Sequence, residues 1–218
     1  MKKLNLIVIG LTALSTISIA QEAVEVKNTN DLRRQLMFGL KAGANYSNVY
    51  DSKGEQFNAD AKLGFAGGAF LTIPIGKFIG LQPEVLFSQK GFTATGNFIG
   101  SPYSFTRTTD FIDIPLFLAL KPTEFLTLLA GPQFSYLLKQ RDVFENSNSS
   151  VAQEKEFSND NIRKNIMGVV GGIDITLTRM VIAGRVAWDV QTNNGDGSST
   201  TPRYKNVWYQ LTFGYRFI

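Results

Sequence analysis

The sequence predicts an all-β chain that closes into an eight-stranded antiparallel up-and-down transmembrane β-barrel. Three observations carry this. From Met37 onward, eight stretches place an apolar residue at every second position, with small, polar or charged residues between. Strand side chains alternate sides with that period. The connections between the stretches alternate in length, as in outer-membrane barrels with tight turns at one rim and long loops at the other. After the first twenty positions no run of about eighteen apolar residues occurs, which excludes membrane-spanning helices but not spanning strands.

The first element, 1–20, reads as a signal peptide. Lys2 and Lys3 form a basic start, Leu4 to Ile19 is largely apolar, and Ser18-Ile19-Ala20 sets small residues before a cut ahead of Gln21. The apolar run is short for an anchor, and no Cys follows the cut to make a lipoprotein. Residues 21–35 carry Glu22, Glu25, Lys27, Asp31, Arg33 and Arg34 and read as a flexible periplasmic lead-in. The barrel domain takes 36–218.

Losing Lys2 and Lys3 lowers the formal net charge from +4 to +2, and no basic run remains to suggest a nucleic-acid partner. The chain has no cysteine, hence no disulfide framework and no thiolate chemistry. It has no histidine, so the usual general base and the commonest metal ligand are missing. The expectation is a non-enzymatic protein with no catalytic residue, cofactor or metal.

The expected strands are 37–47, 62–73, 79–90, 104–120, 124–138, 163–177, 179–190 and 204–217. Long loops are expected at 48–61, 91–103, 139–162 and 191–203, and short turns at Pro74–Phe78, Pro122-Thr123 and Thr178. The last strand shows the alternation cleanly. Val207, Tyr209, Leu211, Phe213, Tyr215 and Phe217 share one face, against Asn206, Gln210, Thr212, Gly214 and Arg216 on the other. None of the residues assigned outward on the eight strands is charged, in a chain that is 18% Asp, Glu, Lys and Arg. A charge on the lipid face costs about 2–4 kcal/mol at the midplane.

Aromatic residues fall where two interfacial belts belong. Tyr46, Phe87, Tyr136, Trp188 and Tyr209 lie toward the long-loop rim, and Phe38, Tyr215 and Phe217 toward the other. Inside, eight strands leave room only for side chains. The inward set holds Lys41, Lys90, Arg185 and Arg216 against Glu84, Asp113, Asp174 and Asp189. Desolvated charges require partners, so a paired network filling the lumen is expected. Gly39, Gly43, Gly64, Gly68, Gly168 and Gly172 also point inward and are expected to make room for long side chains. Pro83, Pro115 and Pro132 sit inside strands of a barrel with no free edge, and bulges are expected there.

Five segments resemble the PorT-like, or porin family, group of Gram-negative outer-membrane β-barrel proteins. They are Gly39-Leu40-Lys41-Ala42-Gly43-Ala44-Asn45-Tyr46-Ser47, Leu81-Gln82-Pro83-Glu84-Val85-Leu86-Phe87-Ser88-Gln89-Lys90-Gly91, Phe111-Ile112-Asp113-Ile114-Pro115-Leu116, Ala130-Gly131-Pro132 and Phe213-Gly214-Tyr215-Arg216-Phe217. The prolines belong to that group's pattern. The resemblance implies the outer membrane as location, its lipids and its barrel-assembly machinery as partners, and for some relatives an association with secretion. Such barrels usually end on an aromatic residue, whereas here Phe217 is followed by Ile218.

Two loops are candidates for chemistry. Asn193-Asn194-Gly195-Asp196-Gly197-Ser198 is similar to part of a calcium loop but lacks the closing bidentate Glu. A Gly/Asn-rich turn is the better reading. The polar segment 139–162 is the expected contact site for an extracellular or secretion partner, since surface loops carry function. The functional expectation is a structural or interaction barrel with a filled lumen and external loops. The alternatives are a narrow passive channel for small solutes or ions, or a secretion-associated accessory barrel.

Overall fold

The structure, a computed structural model, describes residues 31–53, 58–98, 101–146, 149–155, 162–193 and 203–217. After a 3-10 turn at Leu32–Arg34 come nine strands: β1 (Met37–Lys53), β2 (Asn58–Pro74), β3 (Ile79–Phe98), β4 (Ser101–Leu120), β5 (Leu126–Asn146), β6 (Ser149–Lys155), β7 (Asn165–Leu177), β8 (Met180–Asp189) and β9 (Arg203–Arg216). Neighbours run β4-β3-β2-β1-β9-β8-β7-β5, and β4 also pairs with β5, which closes an eight-stranded antiparallel barrel. β6 stands outside this ring and pairs with the upper end of β5, Ser149 opposite Asn146 and Lys155 opposite Gln140. The segment 1–20, expected to be a signal peptide, most of the lead-in, and the glycine-rich turn expected beyond Asn193 lie outside the described residues.

No residue assigned outward is buried. Leu116, Leu118, Leu128, Leu211 and Phe213 are among the exposed ones. Lipid is the solvent that such a surface fits: the apolar face lies outside and the polar face inside, the reverse of a soluble barrel.

Three of the four expected long loops are corrected. β1 and β2 run on to Lys53 and from Asn58, β3 and β4 run on through 91–98 and 101–103, and β5 and β6 form a hairpin within 139–155. The apolar alternation stops at Tyr46, Phe87, Ile112 and Leu138. The ladder does not stop. The continuing stretches of β3 and β4 are rich in threonine, which suits a pleated surface, and Thr93 and Thr106 face each other with their hydroxyl oxygens 3.3 Å apart.

The expected bulges at the prolines are also corrected. Pairing skips two positions between Pro83↔Leu116 and Leu86↔Asp113, and again between Pro115↔Gln133 and Leu118↔Ala130, but the register before and after is the same. The missing proline N–H removes ladder bonds without inserting a residue. The register shifts fall elsewhere, between Tyr50 and Lys53 on β1, between Ala61 and Ala66 on β2, and between Asp110 and Phe111 on β4. On β5 this bulge turns the facing over: Leu137 is buried below it and Gln140 above it.

The glycines act mainly on the wall. A Cβ on Gly43 would lie 2.0 Å from the carbonyl oxygen of Leu211, and one on Gly68 would lie 2.0 Å from that of Val85. These positions let adjacent strands approach closely, so the expected role of opening the lumen is corrected for them. Gly39 fits the expected role, since its Cβ would meet the Phe70 ring at 2.5 Å.

At the short-turn rim, Thr178 takes a positive φ of 54° in the tight turn between β7 and β8. The end of the lead-in is held rather than free. Arg33 donates to the Pro122 carbonyl at 3.5 Å, Lys121 donates to the Arg33 carbonyl at 3.3 Å, and the Arg33 guanidinium sits 5.3 Å from the Phe78 ring centre.

Candidate functional site

The lumen is the candidate site, and its side chains are layered. Near the short-turn half, inward positions of four strands converge. Glu84 on β3 pairs with Lys41 on β1 and with Arg185 on β8, the latter at 3.2 Å. Arg185 also holds Asp174 on β7 at 2.6 Å. Gln82 donates to Glu84 at 3.0 Å and to Asp174 at 2.9 Å, and accepts from Thr72 at 2.9 Å. The Arg185 guanidinium lies 5.0 Å from the Phe117 ring centre. Two cations and two carboxylates share this layer, and all four are buried.

An apolar cluster of Phe117, Ala119, Leu129, Val170, Ala187 and Trp208 fills the lumen beside it. On the other side of Trp208 sits Lys90, its ammonium 3.6 Å from the Trp208 ring centre and 4.6 Å from that of Phe111. Lys90 spans both oxygens of Asp113, at 3.1 and 3.0 Å. Asp189 accepts from the backbone N–H of Asn206 at 3.2 Å and from its side-chain amide at 2.5 Å.

Past the apolar stretch of β4, a further pair lies on the inward face. Arg107 makes two parallel bonds to Asp142, both 2.8 Å, and donates to the Tyr204 hydroxyl at 3.3 Å. Burial alone would lower its pKa, but the neighbouring Tyr204 and the paired Asp142 outweigh that and hold it above the usual guanidinium value. Phe92 packs edge-on against Tyr204, ring centres 5.4 Å apart.

Of the eight candidate charges, the structure brings Lys41, Glu84, Asp174 and Arg185 into one network and Lys90 with Asp113 into another. Asp189 is buried with Asn206. Arg216 stands apart at the short-turn rim, where it donates to the Thr178 carbonyl and meets the Met37 sulfur at 2.6 Å. Sequence reasoning missed Gln82, Thr72, Arg107, Asp142 and Tyr204. For Arg107 the signal was present: counting in twos from Asp113 puts it on the inward face of the same strand. Asp142 was hidden by the bulge before it.

On the outer surface, Tyr46 lies directly across the ladder from Tyr209, and Phe87 lies 6.3 Å from Phe65. Tyr136 and Trp188 are exposed on the same face. At the other rim, Phe38 stacks on Phe217 at 5.8 Å, and Phe217 meets Tyr215 edge-on at 5.5 Å. Among the described residues no cluster of three or more acidic, histidine or cysteine side chains is placed to hold a metal.

A family model described as outer membrane protein beta-barrel domain matches residues 19–192. The chain belongs to that family. The outer membrane is therefore its location. The match ends before β9, which nonetheless closes the ring between β8 and β1. Among solved structures, this family member is similar to Ail, the attachment invasion locus protein of Yersinia pestis, at TM-score 0.46 and 14% identity over 83% of this chain and 98% of that one. It is similar to Neisserial surface protein A at TM-score 0.44 and 12% identity, over 83% and 97%. It is also similar to OprG from Pseudomonas aeruginosa at TM-score 0.42 and 15% identity, over 84% and 97%. No curated protein matches the chain.

Proposed function

We propose that this outer-membrane barrel is a non-enzymatic interaction protein that presents an extended sheet outside the cell. One observation carries the reading. β3, β4 and β5 continue beyond their last lipid-facing apolar residues, and β6 widens the sheet there while pairing, among the described residues, with β5 alone. An unpaired strand edge beyond the membrane is a surface that can add a partner's strand. The filled lumen supports a structural rather than a conducting role, and the absence of His and Cys argues against envelope catalysis.

On this reading the 1–20 segment is a cleaved signal peptide, and the short-turn rim faces the periplasm. The subtype is PorT-like, supported by the proline-bearing segments Leu81–Gly91, Phe111–Leu116 and Ala130–Pro132. Outer-membrane lipids and the barrel-assembly machinery are its partners in the envelope, and 139–162 is the contact region for an extracellular or secretion partner.

Two measurements test this. Protease added to intact cells is expected to cut within 139–162 and to spare 21–35, and cleavage of 21–35 alone would reverse the orientation. Purified protein in a planar bilayer is expected to give no sustained conductance. Reproducible single-channel steps that change when Asp113 or Arg185 is neutralised would replace the interaction reading with the channel reading.

A further inference from the structure

The short-turn rim carries a surplus of positive charge. Its turns and the residues leading into β1 hold Arg33, Arg34, Lys77, Lys121 and Arg179, against Asp31 and Glu124. Arg33, Lys77 and Lys121 gather where the β2–β3 turn, the β4–β5 turn and the 3-10 turn meet.

These three segments are tied together. The amides of Ile75 and Gly76 both donate to the Ile79 carbonyl at 3.0 Å, which fixes the β2–β3 turn. The Lys121 amide donates to the Phe78 carbonyl at 2.8 Å and joins the two turns. The Lys121 side chain is buried, and its ammonium donates to the Arg33 carbonyl at 3.3 Å. The Arg33 guanidinium donates to the Pro122 carbonyl at 3.5 Å. Arg33 is thus held by its backbone and its side chain. The result is two cations on one ring: the Arg33 guanidinium lies 5.3 Å and the Lys77 ammonium 5.6 Å from the Phe78 ring centre. Phe78 is exposed, and so are Leu36, Ile75 and Ile79 beside it, which continue the apolar wall of Phe38 and Leu120 to the rim.

We propose that Arg33 and Lys77, held at Phe78, bind the phosphate of an anionic phospholipid headgroup. Aromatic rings at the end of a lipid-facing wall sit at headgroup level. A guanidinium offers a planar fork to phosphate oxygens, and an ammonium adds a point charge. Basic clusters at a membrane face recognise such headgroups. A phospholipid matches both features, its acyl chains meeting the apolar wall and its phosphate the cations, whereas a soluble acidic partner matches the charges alone. The surplus of positive charge favours a headgroup of net negative charge over a zwitterionic one, whose own ammonium would face Arg33 and Lys77. Placing this lipid in the periplasmic leaflet rests on the orientation proposed above. The binding itself does not.

Native mass spectrometry of the full chain, released from micelles holding equal phosphatidylglycerol and phosphatidylethanolamine, tests it without reference to orientation. Retained phosphatidylglycerol is expected to exceed phosphatidylethanolamine several-fold. The double variant Arg33→Gln/Lys77→Gln is expected to lose that preference, and Lys164→Gln/Lys205→Gln at the other rim to keep it. Equal retention of the two lipids, a full preference in the first variant or its loss in the second would overturn the proposal. Displacement of the lipid by an equal concentration of inorganic phosphate would also overturn it, by reducing the site to one for free anions. Hydrogen exchange of the unaltered chain in symmetric nanodiscs gives a reading without mutation. Replacing phosphatidylethanolamine by phosphatidylglycerol is expected to slow exchange at 32–36 and 75–79 and to leave 91–95 unchanged. No slowing at 32–36 and 75–79 would overturn the assignment.

Discussion

β4 passes through two environments, and its two halves follow different rules. From Ile112 to Leu120 every outward residue is a large aliphatic one and the inward face is buried. From Ser104 to Thr108 the outward residues are serine and threonine, yet the same ladder to β3 continues in register to Ser101. Hydrogen bonding defines the strand, whereas the surrounding solvent defines the pattern written on its faces. Breaking one half should therefore differ in kind from breaking the other.

The largest effect is expected inside the lipid-spanning half. Glu84→Gln removes the charge shared by Lys41 and Arg185, all three side chains being at most 2% exposed. Breaking a buried pair leaves its partner uncompensated, a loss of about 3–5 kcal/mol. Urea unfolding in detergent measures it. A variant as stable as the parent would mean that water reaches this layer.

The lipid face comes next. Leu116→Arg and Leu128→Arg place a charge at exposed positions of the spanning wall, and each is expected to lower folding stability in bilayers by about 2–4 kcal/mol if central. Phe117, one residue from Leu116, is 1% exposed and packs with Trp208 inside. Phe117→Arg therefore acts by overfilling the lumen rather than by meeting lipid. Equal, small effects for both outward variants would contradict the membrane-facing assignment.

The fold was legible because the lipid imposes its pattern wherever strands cross it. Leu116, Leu128 and Phe213 each declared their face by chemistry alone. The pattern falls silent where the outward residues turn polar, which is why Thr93, Thr106 and the β5–β6 hairpin looked like loop. Inward charges such as Glu84 and Lys41 could be placed on a face from parity. Which charge meets which depends on strand stagger around the closed ring, and one chain's sequence does not contain it. Arg216 shows the limit: its parity is inward, yet it sits at the rim on the Thr178 carbonyl.

A smaller effect is expected where the lumen leaves the membrane. Arg107→Ala removes a bidentate pair whose side chains are 8% and 12% exposed. Hydrogen bonds to charged groups contribute about 1.5–3 kcal/mol. The loss should localise to the extension, so hydrogen exchange at 91–95 and 139–145 is expected to quicken while the wall from Ile112 to Leu120 stays protected. Faster exchange throughout would mean that wall and extension unfold as one unit.

The smallest effect gives the sharpest contrast. Thr108 shares β4 and its outward face with Leu116, eight residues along the same strand, and pairs with Gly91 and Arg141 on either side. If the membrane ends between these two positions, Thr108→Arg puts its charge in water or among headgroups. Surface substitutions of that kind stay within about 0.5 kcal/mol, against about 2–4 kcal/mol for Leu116→Arg. The same side chain on the same face of the same strand then separates solvent from ladder. A Thr108→Arg penalty as large as that of Leu116→Arg in bilayers, but absent in detergent, would move the membrane boundary outward. Thr93 and Thr106 would then lie in the headgroup layer, and the sheet free to meet a partner would shrink to the β5–β6 hairpin.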